Sequence, residues 1–212
     1  MSDLLTEIET KLVAGQGPVV KELTAKAVGQ GFAAGEILEK ALMPGMAEVG
    51  RRMKEGEYYI PEVLISARSM KMAMEALRPF LSQTPAQSSG TVILGTVKGD
   101  LHDIGKNMVG MMLEGAGFTV IDLGTDVSSQ QFIAAVQEHK AELVGMSALI
   151  TTTMVAMKDT IAAFQEEGLS DQVKIMVGGA PVTQAYANQI GADGYAPDAA
   201  SAVDVAQQLV HA

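Results

Sequence analysis

The sequence contains no cysteine and no tryptophan, and aromatic residues make up only 4% of it. The absence of cysteine excludes disulfides and any thiolate ligand for zinc or for an iron–sulfur cluster. Basic residues are outnumbered, since 15 Lys and Arg stand against 25 Asp and Glu and give a net charge of -10. No basic run could follow a phosphate backbone, so we expect no nucleic-acid partner.

Long apolar runs are also missing. None reaches the roughly 20 residues that a helix needs to cross a bilayer. The first residues lack the basic start and the apolar centre of a signal peptide. We therefore expect a cytoplasmic protein with no membrane partner, whose 212 residues leave room for one large domain or two small ones.

Residues 1–82 show helical periodicity throughout, which predicts a four-helix bundle. The helices are expected up to Leu12, over 19–28, over 34–54, and from Pro61 to about Leu81. Pro44 should kink the third helix or start a new segment, because proline has no backbone N–H and its ring collides with the preceding turn. Residues 83–90 are polar, contain no apolar anchor and predict a short linker.

From residue 91 to residue 212, strand and helix patterns alternate. The strands are expected at 91–97, 118–123, 142–147, 173–177 and 193–196, and the helices near 105–116, 128–139, 153–168, 182–190 and 199–210. Such units with short, right-handed connections predict a flavodoxin-like (Rossmann-like) sheet of strand order 2-1-3-4-5 with helices on both faces. The expected fold class is therefore α + α/β, an N-terminal four-helix bundle followed by a five-stranded parallel sheet.

The most informative segment is Asp-Leu-His-Asp-Ile-Gly at positions 100–105, just after the first predicted strand. His102 thus lies at the carboxyl end of a strand, where open α/β sheets bind ligands. Asp100 can accept a hydrogen bond from one ring nitrogen of His102 and leave the other nitrogen free, as carboxylates do for metal-bound histidines. A loop histidine that caps the following helix is the alternative, and this motif alone does not decide between the two.

Two further motifs follow, Ser-Ala-Leu at 147–149 and Gly-Gly at 178–179. Between the motifs, 41 residues separate Gly105 from Ser147 and 28 separate Leu149 from Gly178. In this order and at this spacing they resemble the corrinoid-binding signature of cobalamin-dependent methyltransferases and mutases. The resemblance covers almost the whole chain, because family members such as methionine synthase place a helical cap before this α/β domain and hold the corrinoid between the two.

The resemblance implies how cobalt would be held. In the family, the cofactor's own benzimidazole base leaves the cobalt and a protein histidine becomes the lower axial ligand, a position that His102 matches. Asp100 matches the carboxylate that hydrogen-bonds this histidine. In methionine synthase a hydroxyl supports the carboxylate, and Thr153 stands at the matching position, where serine would be expected. Thr151 to Thr153 also suit the N-terminal cap of the next helix, and both roles are compatible.

Further contacts with the corrinoid are implied in three groups. The lower face of the corrin would touch Gly99, Leu101 and Asp103, with Gly105 completing the motif. The nucleotide tail would contact Ser147, Leu149, Thr151, Gly178, Gly179 and Ala199. By itself, Gly-Gly after a strand also reads as a tight turn. In the cap, Glu55 and Tyr59 would lie near the upper face, with Tyr59 in place of the phenylalanine of methionine synthase.

The implied function is methyl transfer on cobalt, which holds the group as methyl-Co(III) and gives it up to leave Co(I), while the protein supplies binding and axial tuning. We expect His102 to ligate cobalt in the methylated form and to leave Co(I), with proton uptake by the pair of His102 and Asp100. No eight-stranded βα barrel is present to bind a donor or an acceptor. The chain therefore reads as a methyl-carrier subunit with no complete active site of its own, and whether it counts as an enzyme is open.

Such a carrier requires partner proteins. A substrate:corrinoid methyltransferase would load the methyl group, and a second methyltransferase would pass it to tetrahydrofolate or coenzyme M. A reductive activator would restore oxidised cobalt, and an acidic surface would suit basic faces on such partners. Similar carriers serve methanol, methylamine, glycine betaine and aryl methyl ether systems, and the sequence does not select among these donors.

Three other functions share parts of the pattern. A corrinoid-dependent sensor or regulator is disfavoured by the absence of tryptophan and of a basic helix. The small subunit of an adenosylcobalamin mutase normally lacks the helical cap. A flavodoxin-like signalling domain would need no cofactor. The identity of the bound cofactor separates these alternatives.

Overall fold

The computed structural model describes residues 3–81 and 89–211, apart from the side chains of Arg78 and Leu81. Residues 83–88 of the predicted linker lie outside this range. The described residues form two compact units, a helical unit of residues 3–81 that also includes Gly115–Gly117, and an α/β unit of residues 89–114 and 118–211.

The helical unit confirms the expected N-terminal helical region. Its helices are α1 (Asp3–Val13), α2 (Gly17–Gly29), α3 (Ala34–Ile37), α4 (Met43–Lys54) and α5 (Ile60–Leu81). Fully buried apolar side chains form its core, among them Ile8, Leu12, Ile37, Leu42 and Leu77. Among the described residues, no helix combines the length and the apolarity that crossing a membrane requires.

The helix expected over 34–54 is present but divided before Pro44. A π-helical turn, Leu38–Leu42, joins α3 to α4. The wider π-turn moves the carbonyl that the proline ring would strike in an α-helix, so the helical run continues past Pro44. The expected break is therefore a local change of helix type followed by a new α-helical segment.

The α/β unit contains one parallel sheet of five strands in the order β2-β1-β3-β4-β5, which confirms the predicted strand order. The strands are β1 (Thr91–Thr96), β2 (Thr119–Asp122), β3 (Leu143–Ser147), β4 (Lys174–Gly178) and β5 (Gly194–Ala196). The helices are α6 (Ile104–Gly115), α7 (Ser129–His139), α8 (Val155–Glu166), α9 (Gln184–Ile190) and α10 (Ala199–Val210).

The strand register brings the carboxyl ends of the central strands together. Thr96 at the end of β1 pairs with Ser147 at the end of β3, and Ser147 pairs with Gly178 at the end of β4. Strands β1 and β3 are apolar and almost wholly buried, as expected for a parallel sheet covered on both faces. The loops that follow these three strands therefore lie side by side at one edge of the sheet.

Candidate functional site

A buried carboxylate lies at this edge, in the loop between β1 and α6. Asp100 has no exposed surface. Its Oδ2 accepts hydrogen bonds from the hydroxyl of Thr153 at 2.7 Å and from the N–H of Leu149 at 2.8 Å. Both donors belong to the loop between β3 and α8, and they reach Asp100 because β1 and β3 are neighbours.

The second oxygen of this carboxylate holds His102. Oδ1 of Asp100 lies 2.8 Å from Nδ1 of His102 and accepts the backbone N–H of the same residue at 3.1 Å. The imidazole is 54% exposed, whereas the carboxylate beside it is fully buried. Among the described residues, no hydrogen-bond partner occupies Nε2 of His102.

The surroundings of Asp100 determine which ring nitrogen of His102 carries hydrogen. Burial acts to raise the pKa of Asp100, but the hydrogen bonds from Leu149, Thr153 and His102 outweigh it and hold this pKa well below its usual range. An ionised carboxylate only accepts hydrogen bonds, so Nδ1 must be the donor. In the neutral imidazole, the free Nε2 then has the lone pair that a metal ligand requires.

Two residues that the sequence analysis did not single out also hold this loop. The hydroxyl of Thr96 donates to the carbonyl of His102 at 2.9 Å. The carboxylate of Asp126, from the loop after β2, accepts the N–H of Gly99 at 2.8 Å. The polar Thr96 at the end of an apolar strand was an available signal, whereas no sequence pattern marks Asp126.

Large apolar side chains are exposed along the loops of the site. Leu101 and Ile104, on either side of His102, are 73% and 77% exposed. Leu149, Ile150 and Val155 are exposed in and after the loop that holds Asp100. Exposed apolar side chains grouped in this way mark a binding surface. With one free imidazole nitrogen among them, they suit a flat, largely apolar ring that supplies the remaining ligands of its own metal.

The glycines that were predicted to contact the cofactor differ in whether the fold itself requires glycine at their positions. Gly179 has φ 124°, and a Cβ there would lie 1.9 Å from the carbonyl oxygen of Ala148. A Cβ at Gly178 would lie 2.9 Å from the carbonyl oxygen of Ala196. The fold alone therefore accounts for the Gly-Gly pair. At Gly105 a Cβ would meet nothing within 4 Å, so this position leaves open space beside the loop of His102.

The other predicted residues lie in several places. Asp103 is exposed and accepts a hydrogen bond from the side chain of Asn107 at 3.0 Å. Ser147 ends β3, Thr151 is exposed in the following loop, and Ala199 is the buried first residue of α10. In the helical unit, Glu55 forms an ion pair with Arg51, and Tyr59 is exposed. The structure thus brings together Asp100, His102, Leu149 and Thr153, and the cofactor contacts of the remaining residues stay predictions.

Comparison with known proteins places both units of the chain in one family. A family model described as "B12 binding domain" matches residues 90–204, and a second model with that description matches residues 4–78. A corrinoid protein of Desulfitobacterium hafniense (strain Y51) is 41% identical over 210 residues, covering 98% of this chain and 97% of that protein. A dimethylamine corrinoid protein of Methanosarcina barkeri is 43% identical over 209 residues, covering 98% of each.

A solved structure extends the likeness to three dimensions. The crystal structure of the methanol:cobalamin methyltransferase complex from Methanosarcina barkeri contains a chain that matches with a TM-score of 0.88 at 33% identity. The match covers 99% of this chain and 80% of that chain. Family models account for both compact units, and the relatives span nearly the full length. The chain therefore belongs to the B12-binding family of corrinoid proteins.

Proposed function

We propose that this protein carries a methyl group on the cobalt of a corrinoid, with Nε2 of His102 as the lower axial ligand in place of the cofactor's own base. One observation carries the proposal: Asp100 holds Nδ1 of His102 at 2.8 Å, which leaves Nε2 free. The apolar side chains exposed around the imidazole support it, because they would be covered by the corrin ring.

The protein's own residues would bind and orient the cofactor. The corrinoid supplies the chemistry of methyl transfer, since its cobalt accepts and releases a methyl group. His102 sets the axial ligation, and Asp100 keeps the imidazole in the tautomer that can bind a metal. Thr153 and the N–H of Leu149 keep Asp100 ionised and oriented. Leu101 and Ile104 would exclude water from beneath the ring.

Transfer to and from this carrier requires other proteins in our proposal. A substrate:corrinoid methyltransferase would load the methyl group, and a second methyltransferase would pass it to tetrahydrofolate or coenzyme M. A reductive activator completes the set, because reduced corrinoids are easily oxidised. A similar chain occurs in a solved methanol:cobalamin methyltransferase complex, which supports a partner of the first kind. The net charge of -10 would favour basic docking faces.

The test is reconstitution with hydroxocobalamin, comparing the wild type with His102→Ala. His139→Ala is the matched control, because His139 is an exposed imidazole at the end of α7. We expect tight binding in all three proteins, with ligand bands in the visible spectrum that disappear only in His102→Ala. Methyl transfer by that variant should be severely slowed. Identical spectra in the wild type and His102→Ala would remove the axial ligand from the proposal.

A further inference from the structure

Asp126 lies in the loop between β2 and α7, and its conformation is unusual. Its backbone φ is 56°, in the left-handed region that only a few per cent of residues other than glycine adopt, with aspartate among the more frequent of them. Such a conformation persists where surrounding contacts hold it, and it often accompanies function. The hydrogen bonds of Asp126 lead to the loop that carries His102.

Two hydrogen bonds join Asp126 to the backbone around Asp100. Oδ1 of Asp126 accepts the N–H of Gly99 at 2.8 Å. In the other direction, the N–H of Asp126 donates to the carbonyl of Asp100 at 3.0 Å. The segment of Gly99 and Asp100 is therefore held at both ends by one residue of a neighbouring loop.

The carboxylate of Asp126 also pairs with Lys98 at 3.1 Å. The hydrogen bond from the N–H of Gly99 and then the one from Lys98 lower the pKa of Asp126, so it is ionised at neutral pH. The side chains of Lys98 and Asp126 are 63% and 45% exposed, and an ion pair this open to water stabilises little. The contacts with the backbone of Gly99 and Asp100 are therefore the ones that matter.

We propose that Asp126 is a positioning residue for His102. It fixes the backbone beside Asp100 from the β2 side, while the loop after β3 fixes the carboxylate of Asp100 from the other side. Because the backbone beside Asp100 and its carboxylate are both held in place, the carboxylate stays hydrogen-bonded to Nδ1 of His102 and Nε2 points outward. This role rests on the proposed ligation of the corrinoid by His102, and it adds the loop after β2 to a site otherwise built from the loops after β1 and β3.

Three variants separate positioning from simple stabilisation. Asp126→Gly removes the carboxylate and also relieves the left-handed strain, so the fold should tolerate it. Asp126→Asn keeps an oxygen that can accept the N–H of Gly99, and asparagine tolerates this φ. Lys98→Met removes only the exposed ion pair.

Two measurements follow the imidazole directly. In the cofactor-free protein at pH 8, nitrogen NMR of His102 reports the ratio of the Nδ1–H tautomer to the Nε2–H tautomer. In the protein reconstituted with cob(II)alamin, electron paramagnetic resonance reports the ratio of histidine-bound to histidine-free cobalt through coupling to the axial nitrogen. His102→Ala supplies the histidine-free reference, and thermal melting checks that each variant is folded.

We expect Asp126→Gly to lower both ratios about fivefold, the effect of losing one typical hydrogen bond. Asp126→Asn should restore both to within about twofold of the wild type, and Lys98→Met should leave them unchanged. Wild-type ratios in folded Asp126→Gly would overturn the inference. If the wild type shows no axial histidine at all, the proposed function fails, and the tautomer ratio of the cofactor-free protein still decides the role of Asp126.

Discussion

The hydroxyl of Thr153 donates to Oδ2 of Asp100 over 2.7 Å, although the two residues are 53 apart in the sequence. Both are buried. A hydrogen bond to a charged acceptor stabilises more than one between neutral groups, because the acceptor attracts the donor more strongly. The contact joins the loops after β1 and β3, so the orientation of His102 depends on the packing of two separate loops.

Replacement of Thr153 by valine should therefore destabilise the protein while keeping its shape. We expect Thr153→Val to lower the free energy of unfolding by roughly 1.5–3 kcal/mol, since it leaves a buried carboxylate oxygen one donor short. Thr153→Ser keeps the hydroxyl and should lose less than half as much. Urea denaturation followed by far-UV circular dichroism measures the change, because the chain has no tryptophan to report it. Equal losses in the two variants would show that the methyl group of Thr153 contributes as much as its hydroxyl, and an unchanged Thr153→Val protein would contradict the role of the hydroxyl.

Glycine replacements should separate the needs of the fold from those of the cofactor. Gly179→Ala places a methyl group against the backbone of Ala148 at an unfavourable φ, so we expect several kcal/mol of destabilisation. Gly105→Ala meets open space in the first turn of α6 and should leave stability unchanged or raise it by about 0.5–1 kcal/mol. If the corrin lies over this turn, Gly105→Ala should nevertheless weaken corrinoid binding.

Thermal melting measures the stability of both glycine variants. Titration with hydroxocobalamin measures the corrinoid affinity of Gly105→Ala. A stable Gly105→Ala protein with wild-type affinity would place the corrin away from this turn. A stable Gly179→Ala protein would contradict the backbone contact itself.

The exposed apolar side chains beside His102 should serve binding rather than stability. Leu101→Ser and Ile104→Ser remove side chains that are 73% and 77% exposed, so melting temperatures should change little. Each should raise the Kd for corrinoid roughly tenfold, because covering such a side chain stabilises a complex by about 1.5 kcal/mol or more. Val19→Ser, in the first turn of α2, is the control for losing an exposed apolar residue. Binding as weak in this control as in the other two would argue against a specific contact.

Glu48 gives a pH-dependent prediction for the helical unit. Hydrogen bonds from Arg51 and then Arg52 lower the pKa of Glu48 to about 2. Because this pKa is lowered in the folded state, the stabilisation is present above the ordinary carboxyl pKa of roughly 4.3 and is lost as the pH falls toward 2. The wild type should therefore melt above Glu48→Gln at pH 7, and the difference should shrink between pH 4 and pH 2. A difference independent of pH would mean that the charge of Glu48 is not involved.

Much of the α/β unit follows from its sequence because its signals are local and repeated. Apolar runs bounded by glycine and polar residues predict each strand, and short connections leave few possible strand orders. The effect of Pro44 was harder to predict, since a kink, a break and a π-helical turn all relieve the same collision. The periodicity of the sequence does not select among them.

Parts of the site follow from sequence for the same reason, and parts do not. Asp100 and His102 are two residues apart, so their contact is a local property of one loop. Asp126 is 27 residues from Gly99, and aspartate tolerates its left-handed conformation without requiring it. Its role depends on a contact between the loop after β2 and the loop after β1, and no pattern in a single sequence predicts that contact.

The hydrogen bonds to Asp100 also have a consequence for folding during synthesis on the ribosome. Its partners at positions 149 and 153 are synthesised 49 and 53 residues later. A nascent chain that ends before residue 149 already contains His102, but the carboxylate of Asp100 lacks both of these hydrogen-bond donors. The contact between Asp100 and His102 is local, but the full set of hydrogen bonds that fixes Asp100 therefore forms only once β3 has docked beside β1.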